Sequence, residues 1–193
     1  MKLKGLVREL FFKDEYNRMN IELVHLKGQL QMFRKTQNDT EQMITQILKN
    51  HHNQIVHYAS NKCGEKVFVV KRSYQYDSEA FDLYLYCIDY SAYPNILPVV
   101  HCSYYNHYSL GANTPCIKID DILMRGHVNK GNGTIAINGL ITVAKHMNAK
   151  RIYGFLSPVD KERFDMLEHF YSKCGFIVTF NETKTAGHIE LLL

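Results

Sequence analysis

From Cys116 to Phe180 the apolar residues change their period in a set order, and that order leaves few folds open. An apolar run, Cys116 to Met124, leads through a polar loop to Gly131-Asn132-Gly133. Ala136, Ile137, Leu140, Ile141, Ala144 and Met147 then recur at the spacing of one helix face. Arg151 to Leu156 is a second apolar run. The tetrapeptide Ser157-Pro158-Val159-Asp160 has the chemistry of a helix start, with Ser157 as N-cap, Pro158 at the first helical position and Asp160 as a capping-box variant. Phe164, Leu167, Phe170, Tyr171 and Cys174 give that helix its apolar face, and Gly175 is placed to end it. Phe176 to Phe180 reads as a strand, and with His188 to Leu193 as a terminal hairpin across the turn-rich Asn181 to Gly187. Strand, glycine loop, helix, strand, helix, strand is an α/β pattern.

Chemistry enters at the glycine loop. Two glycines separated by one residue, entering a helix, leave main-chain N–H groups uncovered at its positive end, with no Cβ to block an anion. Lys130 adds a cation beside them. That loop, together with Phe170-Tyr171-Ser172-Lys173-Cys174-Gly175-Phe176 on the following helix, resembles the GNAT superfamily of N-acetyltransferases from Asp120 onward. In that family the acyl-CoA loop opens a helix after the fourth strand, and an aromatic-Tyr-x-Lys-x-Gly-Phe run follows on the next helix.

The resemblance implies a mixed central sheet flanked by helices and acetyl transfer from acetyl-CoA, as co-substrate, to a primary amine. It implies that main-chain N–H groups of Ile122, Leu123 and Met124 receive the acyl carbonyl. Val128, Asn129, Lys130, Gly131, Asn132, Gly133 and Thr134 would hold the pyrophosphate, with Lys173 as a further cofactor contact, and Tyr171 would protonate the departing thiolate. Two positions depart from the family pattern. Val128 stands where the family has Arg or Gln three residues before the first glycine, and Phe164 where it has Asn seven residues before the tyrosine. These departures favour a rival reading, a non-catalytic coiled-coil interaction or scaffold protein with a vestigial CoA site.

An acyl transfer also needs a base for the amine. Asp120 and Asp121 are adjacent on the strand before the loop, so alternation predicts one on each face, with Asp121 toward the acceptor. Glu190 is a second candidate. Cys174 reads as a small packed hydrophobe rather than a nucleophile. The ten histidines form no His-x₃-His pair and no Cys/His zinc spacing, so no metal is expected. Neither a Gly-x-Ser-x-Gly elbow nor a Walker sequence occurs.

Upstream, Lys66 to Tyr74, Phe81 to Tyr90 and Leu97 to Tyr105 read as strands, parted by a Pro94-Asn95 turn. Their many tyrosines suit half-buried strand faces, and some would line the acceptor pocket that the resemblance places there. A base-stacking surface would need an RNP-like motif, which is missing. The net charge of +4 is too small to argue for nucleic acid by itself.

Residues 1–52 differ in character. Steps of four and three from Phe12 pass through Tyr16, Met19, Leu23, Leu26, Leu30, Phe33, Gln37, Thr40, Ile44 and Ile47, a heptad-like stripe that predicts a long helix. Gln37-Asn38-Asp39-Thr40 interrupts the stripe, and Asp39 with Gln42 has the form of a capping box, so the arm is either one helix or two. It packs against its own domain, residues 53–193, or pairs with a second copy as a coiled coil. Five cysteines without Cys-x-x-Cys spacing, no signal-peptide pattern and no apolar run of ~20 residues point to a reduced, cytoplasmic setting.

Overall fold

The computed structural model describes residues 2–77, 79–87, 98–105, 114–123 and 129–193, the side chains of 2–12 and 14 excepted. Two compact units are present, Met1–Thr45 and Gln46–Leu193.

The first unit is helical. α1 runs without interruption over Lys2–Leu48, roughly 70 Å at 1.5 Å per residue. It begins ten residues before the first position of the stripe, and no break occurs at 37–40. The polar residues there bond within the helix instead of competing with it. Thr36 and Thr40 donate to the carbonyls of Met32 and Thr36, and Gln37 donates to Glu41 one turn on. From Tyr16 to Phe33 the stripe is exposed, with Leu23, Leu26, Leu30 and Phe33 between 49% and 69% accessible, while Ile47 is buried. No helix among the described residues is long and apolar enough to cross a membrane.

The second unit holds an eight-stranded sheet in the order β1-β2-β3-β4-β5-β6-β8-β7. β1 (Asn53–Ser60), β2 (Lys66–Ser73), β3 (Ala80–Cys87), β4 (Val99–Tyr105) and β5 (Cys116–Leu123) form an antiparallel meander. The sequence pattern missed β1, whose alternation is weakened by Asn53, Gln54 and His57. The Pro94-Asn95 turn and residues 88–90 lie outside the described residues. α2 (Asn132–His146) then crosses to β6 (Arg151–Leu156), which pairs parallel with β5. α3 (Phe164–Lys173) leads to β7 (Ile177–Phe180), and β8 (Gly187–Leu192) returns between β6 and β7.

Both crossovers advance the same way across the sheet, so right-handedness places α2 and α3 on one face. One core joins them there: Val69, Leu83, Val100, Ile117, Leu140, Ile152 and Phe164 belong to a single buried cluster. Gly139 lets α2 approach β2, since a Cβ there would lie 2.6 Å from Val69 Cγ1. Strand alternation sends Arg72, Asp82, Tyr84, His101 and Ser103 to the opposite face. Ser157 caps as its sequence predicts, accepting from Val159 N, but it opens a 3₁₀ helix over Pro158–Arg163. Asp160 makes no capping-box bond; its N–H donates to the Ser157 carbonyl. Gly175, at φ +89°, closes α3 with two turn-back bonds, Gly175 N to Ser172 O and Phe176 N to Tyr171 O.

Candidate active site

β5 and β6 are joined by only four rungs, Cys116–Arg151 to Ile119–Gly154. Beyond Ile119 the two strands continue unpaired, so the β6-facing edge of Asp120–Leu123 keeps main-chain groups with no ladder partner. On its other edge β5 carries a bulge. His101 pairs with Asp121 and Cys102 with Ile119, which makes Asp120 the extra residue.

The bulge overturns the expected alternation of the two carboxylates. Paired residues share a face, so Asp121 lies with His101 on the face away from the helices. Asp120 is there as well, accepting from Ser103 Oγ at 2.6 Å and pairing with Lys118 at 2.7 Å. Asp121 is exposed, and its side chain has no hydrogen bond or ion pair with any described residue. Ile122 packs against the core opposite Val100, and Leu123 pairs with Val99.

At the start of α2, Asn129 and Gly131 take left-handed φ values of 66° and 85°, and Gly131 is the N-cap with no side-chain bond to the helix. Asn132 and Gly133 are buried in its first turn. A support emerges that the sequence did not announce, the turn between β1 and β2. Asn61 Oδ1 accepts from Cys63 N and Glu65 N, which shapes that turn. Asn61 Nδ2 donates to Glu65 and, at 3.1 Å, to Asn132 Oδ1, while Lys62 N donates to Lys130 O. Lys130 pairs with Glu65 at 2.7 Å, so its charge is shared with the turn. The Lys62 side chain passes 3.3 Å from where a Cβ on Gly131 would be. Asn132 Nδ2 is a buried donor with no partner among the described residues.

Tyr171 is 5% exposed on α3, its ring against Phe170 and Phe176. Burial, and then the nearby Asp121 carboxylate, push its hydroxyl pKa far up, so it holds its proton throughout the physiological range. The two residues singled out for catalysis lie on opposite faces of the sheet, Tyr171 in the core beneath the helices and Asp121 on the face away from them. Lys173 is exposed in the last turn of α3. Phe164 is a core residue stacked on Phe180. Glu190 is bound to Arg151 at 3.2 Å. Met124 and Val128 lie outside the described residues.

Sequence reasoning also passed over a polar cluster on the face of Asp121. Asp82 is 2% exposed and accepts from Tyr74 Oη, from Tyr84 Oη at 3.0 Å and from His101 Nδ1 at 2.6 Å. The available signal was an acid amid the apolar Phe81 and Leu83 in a tyrosine-rich strand.

No protein-family model matches the sequence, and no curated protein matches it. Among solved structures the chain is similar to the GNAT domain of S. lividans PAT, at 11% identity and a TM-score of 0.50, over 75% of this chain and 98% of that one. It is also similar to a putative streptothricin acetyltransferase from Bacillus anthracis str. Ames in complex with acetyl coenzyme A, at 16% identity and a TM-score of 0.44, over 74% and 87% of the chains. A third is the NatC complex bound to Gag peptide and CoA, at 13% identity and a TM-score of 0.44, over 59% and 70%. The C-terminal region has a GNAT-type fold.

Replacing Asn61 by Ala removes both turn acceptor bonds and leaves Asn132 Oδ1 buried without its donor. The cost should be about 1–3 kcal/mol, read as a lower urea midpoint by circular dichroism.

Proposed function

We propose that residues 53–193 form an acyl-CoA-dependent N-acyltransferase domain, moving acetyl from acetyl-CoA to a primary amine. One observation carries this reading: the parting of β5 from β6 opens beside the uncapped N-terminus of α2, with Tyr171 and Asp121 on its two sides. The glycine loop, Asn129 to Thr134, would bind the pyrophosphate through main-chain N–H groups and the helix dipole. Lys130 contributes its charge jointly with Glu65, and Lys173 is a further contact. The unpaired main chain of Ile122 and Leu123 would bind the acyl carbonyl, a stabilisation that grows as negative charge develops there.

In the reaction the amine nitrogen attacks the thioester carbon, the C–S bond breaks and Tyr171 gives its proton to the sulfur. Tyr171 is protonated at neutral pH and so has a proton to give. Asp121, exposed at the cleft with no partner among the described residues, would draw the acceptor ammonium. We also propose a cytoplasmic setting, from cysteines without paired spacing.

A second reading concerns α1, whose exposed stripe suits a self-associating coiled coil. We propose that two copies pair through it as a homodimer.

Acetyl-CoA at about 100 times its dissociation constant should stabilise the full chain by roughly 2.7 kcal/mol in a thermal melt. No stabilisation at millimolar ligand would move the weight to a scaffold role with α1 as its working part. Tyr171→Phe should retain acetyl-CoA binding but lower turnover roughly 10²- to 10⁴-fold, and unchanged turnover removes the proton-donor role. Leu23→Glu with Leu30→Glu in the full chain should halve the sedimenting mass. Equal monomeric masses for both chains would end the dimer proposal.

A further inference from the structure

We propose that His101, held by the buried Asp82 carboxylate, is the base that takes the proton from the acceptor amine. This rests on the acyl-transfer reading and names the group at that site which performs the step.

A carboxylate removed from water is costly unless donors surround it, and Asp82 has three, from Tyr74, Tyr84 and His101. Arg72 faces it directly in the β2–β3 ladder, yet the guanidinium turns to Asn53 and Tyr86 and stacks on Tyr84 at 4.3 Å. No described cation therefore forms an ion pair with Asp82 besides the imidazole. An ionised carboxylate only accepts, which assigns the Nδ1 proton to His101 and leaves Nε2 with the lone pair in the neutral ring. Asp82 thus fixes both the tautomer and the ring plane, as a positioning residue. The histidine side chain is 36% exposed where its partner's is 3%, so the reactive nitrogen belongs to the wetter end of the pair.

Position in the sheet supplies the second half. His101 stands opposite Asp121 at the bulge, one residue past the last β5–β6 rung. It lies on the sheet face away from α2 and α3, opposite the face on which Tyr171 packs. A carboxylate in water is a far weaker base than an imidazole, so the pair divides the work: Asp121 attracts the ammonium and stabilises the imidazolium, and His101 accepts the proton. The balance is R–NH₃⁺ plus acetyl-S-CoA giving the acetamide, CoA-SH and one proton. The first ammonium proton passes to Nε2 of His101 and on to solvent. After the C–N bond forms, the second leaves the nitrogen and matches the proton that Tyr171 delivers to sulfur.

Arg72, Tyr74, Asp82 and Tyr84 face His101 from β2, β3 and the turn between them, and Asp120 and Asp121 from β5. Burial, with the Asp82 bonds adding to it, pushes both tyrosine hydroxyls up, away from neutrality. Among these side-chain types only imidazole ordinarily changes charge between pH 5 and 8, so the pH profile of the rate is part of the test.

The test uses the full chain with acetyl-CoA and, in turn, spermidine, kanamycin and a lysine-bearing peptide with a free N-terminus, following thiol release. His101→Gln should lower kcat about 10²-fold or more, leave the KM for acetyl-CoA unchanged and alter the pH profile of kcat. Asp82→Asn should lower kcat while the ring nitrogen shifts in ¹⁵N spectra move away from the Nδ1–H tautomer of the parent. Wild-type kcat and pH profile in His101→Gln overturn this proposal alone. A parent protein that binds acetyl-CoA but releases no thiol with any of the amines overturns the acyl-transfer reading, and this one with it.

Discussion

The parallel ladder between β5 and β6 stops after four rungs, and the proposed site depends on its stopping there. The extra residue at Asp120 adds twist and bends β5 away just beyond Ile119. Gly154 completes the last rung. A Cβ at that position would lie 3.2 Å from both the Ile119 carbonyl and Ile189 Cδ1, so glycine lets the strands stay joined to that point. Past it, the sheet is open between two strands that remain anchored by the core beneath them. Leu140 from α2, Ile152 and Leu156 from β6, and Phe164 from α3 are all buried in that core.

An opening through a sheet has two sides with different chemistry. On the helix side are the positive end of α2 and the buried Tyr171, surroundings that favour an anion and a neutral hydroxyl. On the other side are Asp121, His101 and the carboxylate of Asp82, which favour a cation and a proton acceptor. A thioester and an amine brought together from opposite faces would each meet the environment suited to it.

The loop at the start of α2 is held from outside its own segment. The β1–β2 turn reaches it through Asn61 and Glu65, with Asn61 serving as acceptor for its own turn and donor to Asn132. Such a network constrains a loop whose residues Asn129 and Gly131 adopt left-handed conformations. It also means that the charge of Lys130 is set jointly by Glu65 and any bound anion.

Local patterns in the sequence determined much of the domain. The period of Ala136 to Met147 specified α2, the run Arg151 to Leu156 specified β6 to the residue, and Gly175 specified the end of α3, because each depends on neighbours a few positions away. The glycine turn that opens α2 and the buried face of α3 that carries Tyr171 were legible for the same reason, and so was the long arm, although Gln37 to Thr40 suggested a break that i to i+4 bonding within the helix removes. Only the tertiary structure decided what depends on register. The bulge placed Asp120 and Asp121 on one face, the ladder brought Asp82 to His101, and a contact across 71 positions joined Asn61 to Asn132. Strand pairing is a non-local choice, settled by the packing of whole faces, and single residues carry no mark of the partner they will meet.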